Sequence, residues 1–409
     1  MEIPEILAPA GSMEALEIAC LYGADAVYLG LKEGYSLRSD AKNFDMDELE
    51  RAVTLAHSYG VKVYLTLNAY LHDDQLAALP DVIISAGDIG VDAFIISDIG
   101  VFSIAKELRP EIPVHISTQA NTTNTRAINA WASLGVKRVI LARELSSKEI
   151  ANMRKNTDIE LEIFVHGSIC ISISGRCLVS NYLCGRDANR GMCAQSCRWE
   201  YALVERKRKG EYMPVFEEDG FTFLYNSKDL CLMPVMDRVM ELGLDGLKIE
   251  GRKKTILYVA TTVSTYRKAR DAWAKDSENF KVDPEWIEEL KKITNRGYFL
   301  GFFEGQPSKD SIDCWFKDYT QTHHLAAKVL ATQGDVTTFE ARNPLIEGME
   351  LEWMSSCFKR RKFILNSANV DGFPSTYIKP NQIFTMKTPF RPKTGELIRK
   401  PFSQGDKVS

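Results

Sequence analysis

The sequence lacks any long apolar run, and this absence bounds where the protein can reside. No stretch of its 409 residues approaches the roughly 18 consecutive apolar residues that a membrane-spanning helix needs. The N-terminal segment 1–11 also lacks the basic stretch and apolar core of a secretory signal. We therefore expect a cytoplasmic protein without a membrane segment. In that compartment, clustered cysteines favour metal binding or redox chemistry over structural disulfides.

Several catalytic and binding motifs are missing as well. No Gly-x-Gly-x-x-Gly follows the first predicted strand, no His-Glu-x-x-His indicates a zinc protease, and no Gly-x-Ser-x-Gly indicates a serine hydrolase. The net charge of −4 is not concentrated in a tail of one sign, so any surface for nucleic acid has to be local. These absences disfavour dinucleotide-binding enzymes and the common hydrolase classes.

Between residue 5 and about residue 273, the chain alternates short apolar runs with longer amphipathic segments. Eight runs are predicted to be buried strands: Ile6–Ala8, Ala26–Gly30, Lys62–Asn68, Ala93–Ser97, Val114–Thr118, Arg138–Ala142, Leu161–Val165 and Gly246–Glu250. Glycines such as Gly23, Gly60 and Gly135 stop the intervening helices. This count predicts an α/β fold, a (β/α)8 TIM-type barrel, with a doubly wound open sheet as the alternative.

The alternation breaks twice, and the breaks predict the domain organisation. Residues 166 to about 231 form a cysteine-rich insert, in which 223–225 is a predicted short strand and 226–231 a predicted turn into a helix. From residue 325 onward, period-two alternation with Gly, Pro and Asn turns predicts a small antiparallel β-barrel. We predict a TIM-barrel domain over residues 1–305 and a C-terminal β-barrel domain over residues 320–409.

Polar side chains follow the predicted strands, at the end where an enzyme barrel builds its active face. They are Asn68, Ser97, Asp98, Ser117–Asn121, Arg143, Glu144, His166, Glu250 and Arg252. Any one of them could be a helix cap, and Ser97, Asp98 and Thr123 are predicted to be caps. Together they indicate a site on this rim.

Six of the nine cysteines fall between residues 170 and 231. They are Cys170, Cys177, Cys184, Cys193, Cys197 and Cys231. Their wide, uneven spacing matches neither a paired zinc ribbon nor a compact ferredoxin run. Four thiolates would hold a [4Fe–4S] cluster, zinc also accepts four cysteines, and buried or redox-active thiols are a third interpretation. Cys20 is predicted to lie in the core, and Cys314 and Cys357 to be incidental.

Long motifs in this region resemble those of one known family. They are Ala8–Gly11, Ser117–Asn121, Glu162–Cys170 (EIFVHGSIC), Ser174–Ser180 (SGRCLVS), Asn189–Arg198 (NRGMCAQSCR), Asn226–Cys231 (NSKDLC), Leu247–Arg252 (LKIEGR) and Asn295–Phe302 (NRGYFLGF). Together with the predicted C-terminal β domain, they make the chain similar to the U32 "collagenase-like peptidase" family over nearly its whole length.

The resemblance implies a function that the residues alone do not give. Members of this family include O2-independent hydroxylation proteins with a [4Fe–4S] cluster, which act on a tRNA wobble uridine, an rRNA cytidine or quinone precursors. Prephenate is the implied hydroxyl donor. The chain looks most like the branch that makes 5-hydroxyuridine in tRNA. The implied cluster ligands are Cys170, Cys177, Cys193 and Cys231, with Cys197 as an alternative ligand.

Other functions stay open beside this one. The family's historical label makes peptidase activity the alternative, and a cluster-bearing scaffold that delivers tRNA to a partner is a third hypothesis. Zinc is the alternative to the cluster. The expected partners are tRNA and the iron–sulfur assembly machinery, and the oligomeric state is open.

We assign candidate roles to the rim residues and to the basic patches. Arg143, His166 and Glu250 are the catalytic candidates, because arginine binds carboxylates bidentately and a glutamate can transfer a proton. For His166, a satisfied structural group is an equal alternative. The substrate-binding candidates are Asn68, Gln119, Asn121 and Arg252. The RNA-binding candidates are Arg206, Lys207, Arg360 and Arg361, for which solvated loops are the alternative.

Overall fold

We describe the protein from a computed structural model. It describes residues 3–37, 41–170, 172–196, 228–307 and 319–402, together with the backbone of four short strands between residues 202 and 223. Cys197, Arg206, Lys207 and Cys314 lie outside the described residues, so the predictions made for them stay predictions.

The first part of the chain contains fourteen described strands. In chain order they are β1 (Glu5–Pro9), β2 (Ala26–Leu29), β3 (Lys62–Leu67), β4 (Ala93–Ile96), β5 (Val114–Ile116), β6 (Arg138–Ile140), β7 (Glu160–Gly167), β8 (Ala202–Val204), β9 (Tyr212–Pro214), β10 (Phe216–Glu218), β11 (Phe221–Phe223), β12 (Asp229–Cys231), β13 (Gly246–Ile249) and β14 (Tyr298–Phe299). All eight predicted barrel strands are among them, each within two residues of its predicted ends.

Helices connect these strands along the outside of the sheet. The described helices are α1 (Met13–Leu21), α2 (Met46–Ser58), α3 (Asp73–Leu76), α4 (Leu79–Ile89), α5 (Ile99–Leu108), α6 (Thr125–Ser133), α7 (Ser147–Lys155), α8 (Val179–Cys184), α9 (Met236–Met240), α10 (Ile256–Lys275) and α11 (Pro284–Lys291). Local sequence fixes their starts, since Asp45 and Ser146 each form a capping box with the glutamate three residues on. None of the described helices combines the length and apolarity needed to cross a membrane.

Strand β13 closes the barrel. It pairs in parallel with β1 on one side and with β7 on the other, while β1 to β7 pair in sequence order. The eight strands therefore form a closed parallel barrel, which confirms the predicted TIM-type fold, and the open-sheet alternative is wrong. Because all eight strands run the same way, their carboxyl ends share one rim.

A buried charge cluster lies inside the barrel. Glu162 on β7 is fully buried, and its carboxylate lies 3.1 Å from Arg138 Nη1 and 3.4 Å from Lys248 Nζ. Arg138 also contacts Glu5 and Glu160, each at 2.7 Å. Gly246 is required beside this cluster, since a Cβ atom there would come within 2.7 Å of Glu162 Oε2.

The segment that leads into α9 differs from its prediction. Residues Asp229–Cys231 form a strand that runs antiparallel to β7, with Cys231 opposite His166, so the turn predicted over 226–231 is wrong for these three residues. The buried Arg296 side chain holds the strand, with its Nη2 atom 2.6 Å from Asp229 Oδ1. A strand of only three residues, Asp-Leu-Cys, is too short for its hydrophobic period to be recognised in the sequence.

The described part of the C-terminal domain, residues 319–402, contains ten strands. They are β15 (His323–Gln333), β16 (Val336–Ala341), β17 (Leu345–Ile346), β18 (Glu350–Met354), β19 (Arg360–Ile364), β20 (Asn369–Val370), β21 (Phe373–Pro374), β22 (Tyr377–Ile378), β23 (Ile383–Lys387) and β24 (Leu397–Pro401). Eight of them form one antiparallel sheet, and β17 pairs with β22. The antiparallel architecture predicted for this region is confirmed; the boundary predicted between residues 305 and 320 stays a prediction.

The two domains are joined through buried polar contacts. The Tyr22 hydroxyl on the loop after α1 donates to Met354 O at 2.7 Å and accepts from Leu397 N at 2.9 Å. On α11, Glu289 is 3% exposed and accepts from Arg360 Nε at 2.6 Å and from Arg399 Nη1 at 2.9 Å. The C-terminal sheet is therefore fastened to the helical layer of the barrel at several independent points.

Replacing Glu289 tests this joint. We expect Glu289→Gln to lower the free energy of unfolding by about 3–5 kcal/mol, because it leaves buried arginine charges without their carboxylate. The measurement is urea denaturation at pH 7 followed by circular dichroism. Glu288→Gln is the matched control, since the Glu288 side chain is 64% exposed and pairs only with Lys291 among the described residues. Its expected cost is at most about 0.5 kcal/mol.

The same variant should change the response to acid. Burial alone would raise the pKa of Glu289, but the guanidinium groups of Arg360 and Arg399 hold it well below its ordinary 4.5. A depressed pKa gives stability that is present above the unfolded value and lost as pH falls below about 4.5. The wild type should thus lose its advantage over Glu289→Gln in acid. An equal gap at pH 7 and pH 3 would contradict this account.

Candidate active site

The barrel mouth holds a cavity of about 110 Å³ at the shared carboxyl rim of the strands. Many of the predicted site residues line it: Asn68, Gln119, Arg143, Cys170, Cys177, Cys193, Glu250 and Arg252. Asn121, His166 and Cys231 are not among its lining residues. We call this cavity the mouth pocket. The structure thus brings together most of the predicted rim residues with three of the clustered cysteines.

Arg143 presents a nearly buried cation to the pocket. Its guanidinium carbon lies 4.0 Å from the centre of the Phe164 ring, and Nη1 donates to Ser168 O at 3.2 Å. Nη2 is 3.8 Å from Glu250 Oε2, and Nε has no hydrogen-bond partner among the described residues. A guanidinium held by a ring face and one carbonyl keeps donor capacity for an anionic ligand.

Lys248 is a second cation that the sequence prediction missed. It lines the pocket with its ammonium 4.4 Å from the centre of the Tyr28 ring. Burial lowers the pKa of Lys248, and the Glu162 carboxylate opposes part of that shift. A lysine inside the apolar run Gly246–Ile249 is the signal in the sequence, because lysine is rarely buried unless it is paired.

Glu250 lies where β13 ends and is fixed from two sides. The Tyr28 hydroxyl lies 3.2 Å from Glu250 Oε2 and 3.0 Å from Ile249 O. The Tyr258 hydroxyl donates to the backbone carbonyl of Glu250 at 2.9 Å. The carboxylate therefore stands in a fixed position beside Arg143, as a proton-transfer group needs.

Arg252 lies in the pocket wall in a mainly structural setting. Its guanidinium donates to Thr66 Oγ1 and Ser36 Oγ at 2.9 Å and to Asn43 Oδ1 at 2.6 Å. Gly30 makes room for it, because a Cβ atom there would lie 2.7 Å from Arg252 Nη2. The predicted substrate contact for Arg252 stays a prediction.

The amide side chains divide between pocket and scaffold. Gln119 lines the pocket and donates from Nε2 to Gly175 O at 3.3 Å. Asn68 donates to Ser117 Oγ at 3.3 Å and accepts from Leu37 N at 3.3 Å. Asn121 has a φ of 54°, and its buried Oδ1 has no partner among the described residues. Asn68 and Gln119 are thus placed to contact a ligand.

The cysteine-rich insert is fastened over the pocket. Glu144 accepts hydrogen bonds from the backbone N–H and the hydroxyl of Ser174, at 2.6 and 2.7 Å. Arg176 lies against the Tyr70 ring and donates to Gln119 O at 3.0 Å. These contacts hold the cysteines on either side of Ser174 close to the barrel rim.

Three cysteine thiols share the mouth pocket. The sulfur of Cys177 accepts a hydrogen bond from Val179 N, and that of Cys193 accepts one from Gln195 N, both at 3.4 Å. Asn189 brackets Cys177 by bonding both its N–H and its C=O, at 3.1 and 3.0 Å. These contacts fix the positions of the two sulfur atoms in the pocket wall.

Cys231 occupies a different environment from these three. Its side chain is almost fully buried, with the sulfur 3.8 Å from the Tyr266 hydroxyl. Burial raises the pKa of Cys231 to about 11. Within the described residues, no three His, Cys, Asp or Glu side chains converge closely enough to hold a single metal ion. The ligand set predicted for the metal therefore stays a prediction, with three of its members in one pocket.

His166 lies behind the pocket in a box of aromatic rings. The rings of Tyr298, Tyr266 and Tyr258 are centred 5.2, 5.6 and 5.8 Å from it. Burial lowers the pKa of His166 to about 3, so the ring is neutral at physiological pH. Its Nε2 atom has no hydrogen-bond partner among the described residues. The catalytic role predicted for His166 stays a prediction, and its position is that of a supporting group.

The predicted RNA-binding residues of the C-terminal domain lie in different settings. Arg360 is engaged by Glu289 at the domain joint, with a side chain only 10% exposed. Arg361 donates to Pro389 O at 2.9 Å in an exposed position. RNA contact by Arg361 stays a prediction, whereas the guanidinium of Arg360 is committed to the joint.

Comparison with known sequences defines the class to which this chain belongs. It is a member of Peptidase family U32, whose sequence profile matches residues 11–313. The chain is 42% identical over 354 residues to tRNA hydroxylation protein P1 of Bacillus subtilis (strain 168), covering 86% of this chain and 83% of that protein.

Two further relatives are from Escherichia coli (strain K12). The chain is 34% identical to its tRNA hydroxylation protein P, with 86% of each chain covered. It is also 34% identical to 23S rRNA 5-hydroxycytidine C2501 synthase, over 74% of this chain and 46% of that protein. The predicted family membership is confirmed.

Thiol reactivity tests the two cysteine environments. In native protein treated with reductant and chelator, iodoacetamide at pH 8 should modify the exposed Cys184 and Cys357 but leave Cys231 and Cys20 unmodified. Burial raises the pKa values of these two thiols to about 11 and 12, and the thiolate is the reacting form. Peptide mass spectrometry measures the modification, with urea-unfolded protein as the control for full labelling. Native Cys231 labelled as fast as Cys184 would contradict the structure.

Proposed function

We propose that this chain is an RNA-modifying enzyme that hydroxylates the wobble uridine of tRNA without O2, using prephenate as hydroxyl donor and a [4Fe–4S] cluster. The observation that carries the proposal is the mouth pocket itself, where Cys170, Cys177 and Cys193 share a cavity with Arg143 and Glu250. The names of the relatives, two tRNA hydroxylation proteins and an rRNA hydroxycytidine synthase, support the substrate class.

The residues in the pocket are of the type that binds a [4Fe–4S] cluster, but only three of the four cysteines that it needs line the pocket. Cys170, Cys177 and Cys193 would be three of the four thiolates that a [4Fe–4S] cluster takes. The fourth would be Cys197 or Cys231, and Cys231 would have to turn its sulfur away from Tyr266 to reach the pocket. When bound, the cluster would supply redox and Lewis-acid chemistry at the barrel mouth.

The remaining pocket residues fit an anionic donor and a polar base. Arg143 and Lys248 bring two cations to one small cavity, which suits a ligand that carries carboxylates. Glu250, oriented by Tyr28, can hold or accept a proton at its Oε2 atom. Asn68 and Gln119 offer amide donors and acceptors that can recognise the edge of a uracil ring.

Nucleoside analysis tests the proposed reaction. In a strain that lacks this protein, we expect the 5-hydroxyuridine family to disappear from digested tRNA, as measured by liquid chromatography and mass spectrometry. The wild-type gene should restore these nucleosides, and Cys177→Ala should not. Cys184→Ala is the matched control, because Cys184 is an exposed cysteine of the same insert that does not line the pocket. An unchanged nucleoside profile in the deletion strain would refute the proposed reaction.

Metal analysis tests the proposed cofactor separately. Protein purified without air should contain iron and acid-labile sulfide. It should also show the broad visible absorption that is typical of iron–sulfur proteins. Cys177→Ala and Cys193→Ala should lose most of the iron, and Cys184→Ala should keep it. Comparing Cys197→Ala with Cys231→Ala identifies the fourth ligand, since only the ligand's removal should deplete iron. A colourless wild-type protein that contains stoichiometric zinc would refute the proposed iron–sulfur cluster.

A further inference from the structure

A second cavity lies where the barrel rim meets the C-terminal domain. It has a volume of about 520 Å³, within the range of ligand-binding clefts. Its barrel wall comes from the loop after β1, the segment around Lys42 and the start of α10, and its other wall comes from β15 and the turns around Arg342 and Asn381. We call it the junction groove. It belongs to neither domain alone.

The charge of this groove is opposite to that of the chain. Its described lining includes five basic residues, Lys42, Arg252, Lys253, Lys254 and Arg342, and one acidic residue, Glu14. Arg342 is paired with Glu14 and with Glu340, whereas Lys42 and Lys253 are exposed. The balance is therefore +4 in a protein of net charge −4. Neighbouring cations in one concave surface raise the local potential and attract an extended polyanion.

The backbone adds to this potential. The first residues of α10, a 20-residue helix, line the groove directly after its N-cap Thr255. The N–H groups at a helix N-terminus carry partial positive charge and favour anions such as phosphate. Gln321, Asn343 and Asn381 also line the groove. The side-chain nitrogens of Gln321 and Asn343 each donate to a backbone carbonyl, and the second N–H of each amide can bind a phosphate or sugar oxygen.

The junction groove adjoins the mouth pocket through one residue. Arg252 lines both cavities and is almost fully buried. A ligand in the groove would therefore contact a residue that also lines the cavity that holds the three cysteines. Enzymes that modify a nucleobase take it out of its stack and into a pocket, which leaves the adjacent backbone outside.

We propose that the junction groove binds the phosphate backbone of the RNA beside the nucleotide whose base enters the mouth pocket. This inference rests on the proposed function and adds the surface that positions the substrate. RNA fits better than a small anion, because the cations are spread over two domains rather than converging on one point. The C-terminal domain then contributes directly to substrate binding, by forming one wall of the groove.

The salt dependence of RNA binding tests the groove. Lys42 and Lys253 have exposed side chains, so Lys42→Ala/Lys253→Ala should fold normally. With the full-length protein and a synthetic tRNA anticodon stem-loop, we expect binding roughly tenfold weaker than wild type in moderate salt. The slope of log K against log salt should fall by about 2, because each lysine neutralises about one phosphate.

The control variant removes the same charge elsewhere. Lys106 and Lys155 lie in the last turns of α5 and α7, at the end of the barrel opposite the groove. Lys106→Ala/Lys155→Ala should bind the RNA with the affinity and salt slope of the wild type. Equal losses of RNA affinity in both double variants would overturn the proposed role of the groove, because they would indicate a general effect of charge. Unchanged binding in Lys42→Ala/Lys253→Ala would overturn it too.

A second measurement does not depend on any substitution. A stem-loop carrying 4-thiouridine next to the wobble position should cross-link on irradiation to peptides from the start of α10 and from residues 340–343. Cross-links confined to other surfaces would overturn the proposal. If the deletion strain keeps its modified nucleosides, the proposed function itself fails. If modification is lost but the groove variants bind and restore it fully, only the groove proposal fails.

Discussion

The barrel depends on a carboxylate that has no access to water. Glu162 lies on β7 between Arg138 and Lys248, and all three side chains are buried inside the ring of strands. Taking one partner away would leave a charge in a medium that cannot solvate it, which is far more costly than never having had the pair. The cluster links the closing strand β13 to β6 and β7, so that closure of the barrel and satisfaction of the charges require one another. Lys248 lines the pocket while its ammonium group is paired with Glu162.

The cysteine-rich insert depends on that closed rim in turn. Glu144 and Gln119, which follow two neighbouring strands, bind Ser174 and Gly175 of the insert. Cys170 and Cys177 flank these anchor points along the chain. Cys170 and Cys177 therefore lie beside the barrel mouth, because residues that follow the strands hold this part of the insert there.

The alternation of buried runs with amphipathic segments was sufficient to predict the barrel, since parallel strands covered on both faces are continuously apolar. The same pattern predicts that Asn68, Gln119, Arg143 and Glu250 lie at one rim, and all four line the mouth pocket. What it could not supply was the direction of each side chain within a strand end. His166 and Cys231 also lie at strand ends, yet neither lines the mouth pocket. The His166 ring lies among tyrosine rings, and the Cys231 sulfur lies beside the Tyr266 hydroxyl. Their orientation depends on the antiparallel pairing of β12 with β7, which no local period reveals.

The basic run at residues 358–363 contains two adjacent arginines whose environments differ in the structure. Composition alone made Arg360 and Arg361 equivalent, but only a tertiary contact with Glu289 separates them. A guanidinium that closes a domain joint and one that faces solvent have the same neighbours in sequence. Distinguishing them required the position of α11, which lies more than sixty residues earlier in the chain.

The fastening of Tyr22 to Met354 and Leu397 has a consequence for how a substrate would be selected. Because these hydrogen bonds are buried, the C-terminal sheet cannot pivot on the barrel without breaking them. The distance between the junction groove and the mouth pocket is then fixed. If RNA binds as proposed, a loop that is one nucleotide too long or too short would place its backbone in the groove and the wrong base at the mouth. The fixed distance between the two cavities would thus select RNA loops by the number of their nucleotides as well as by the chemistry of the base.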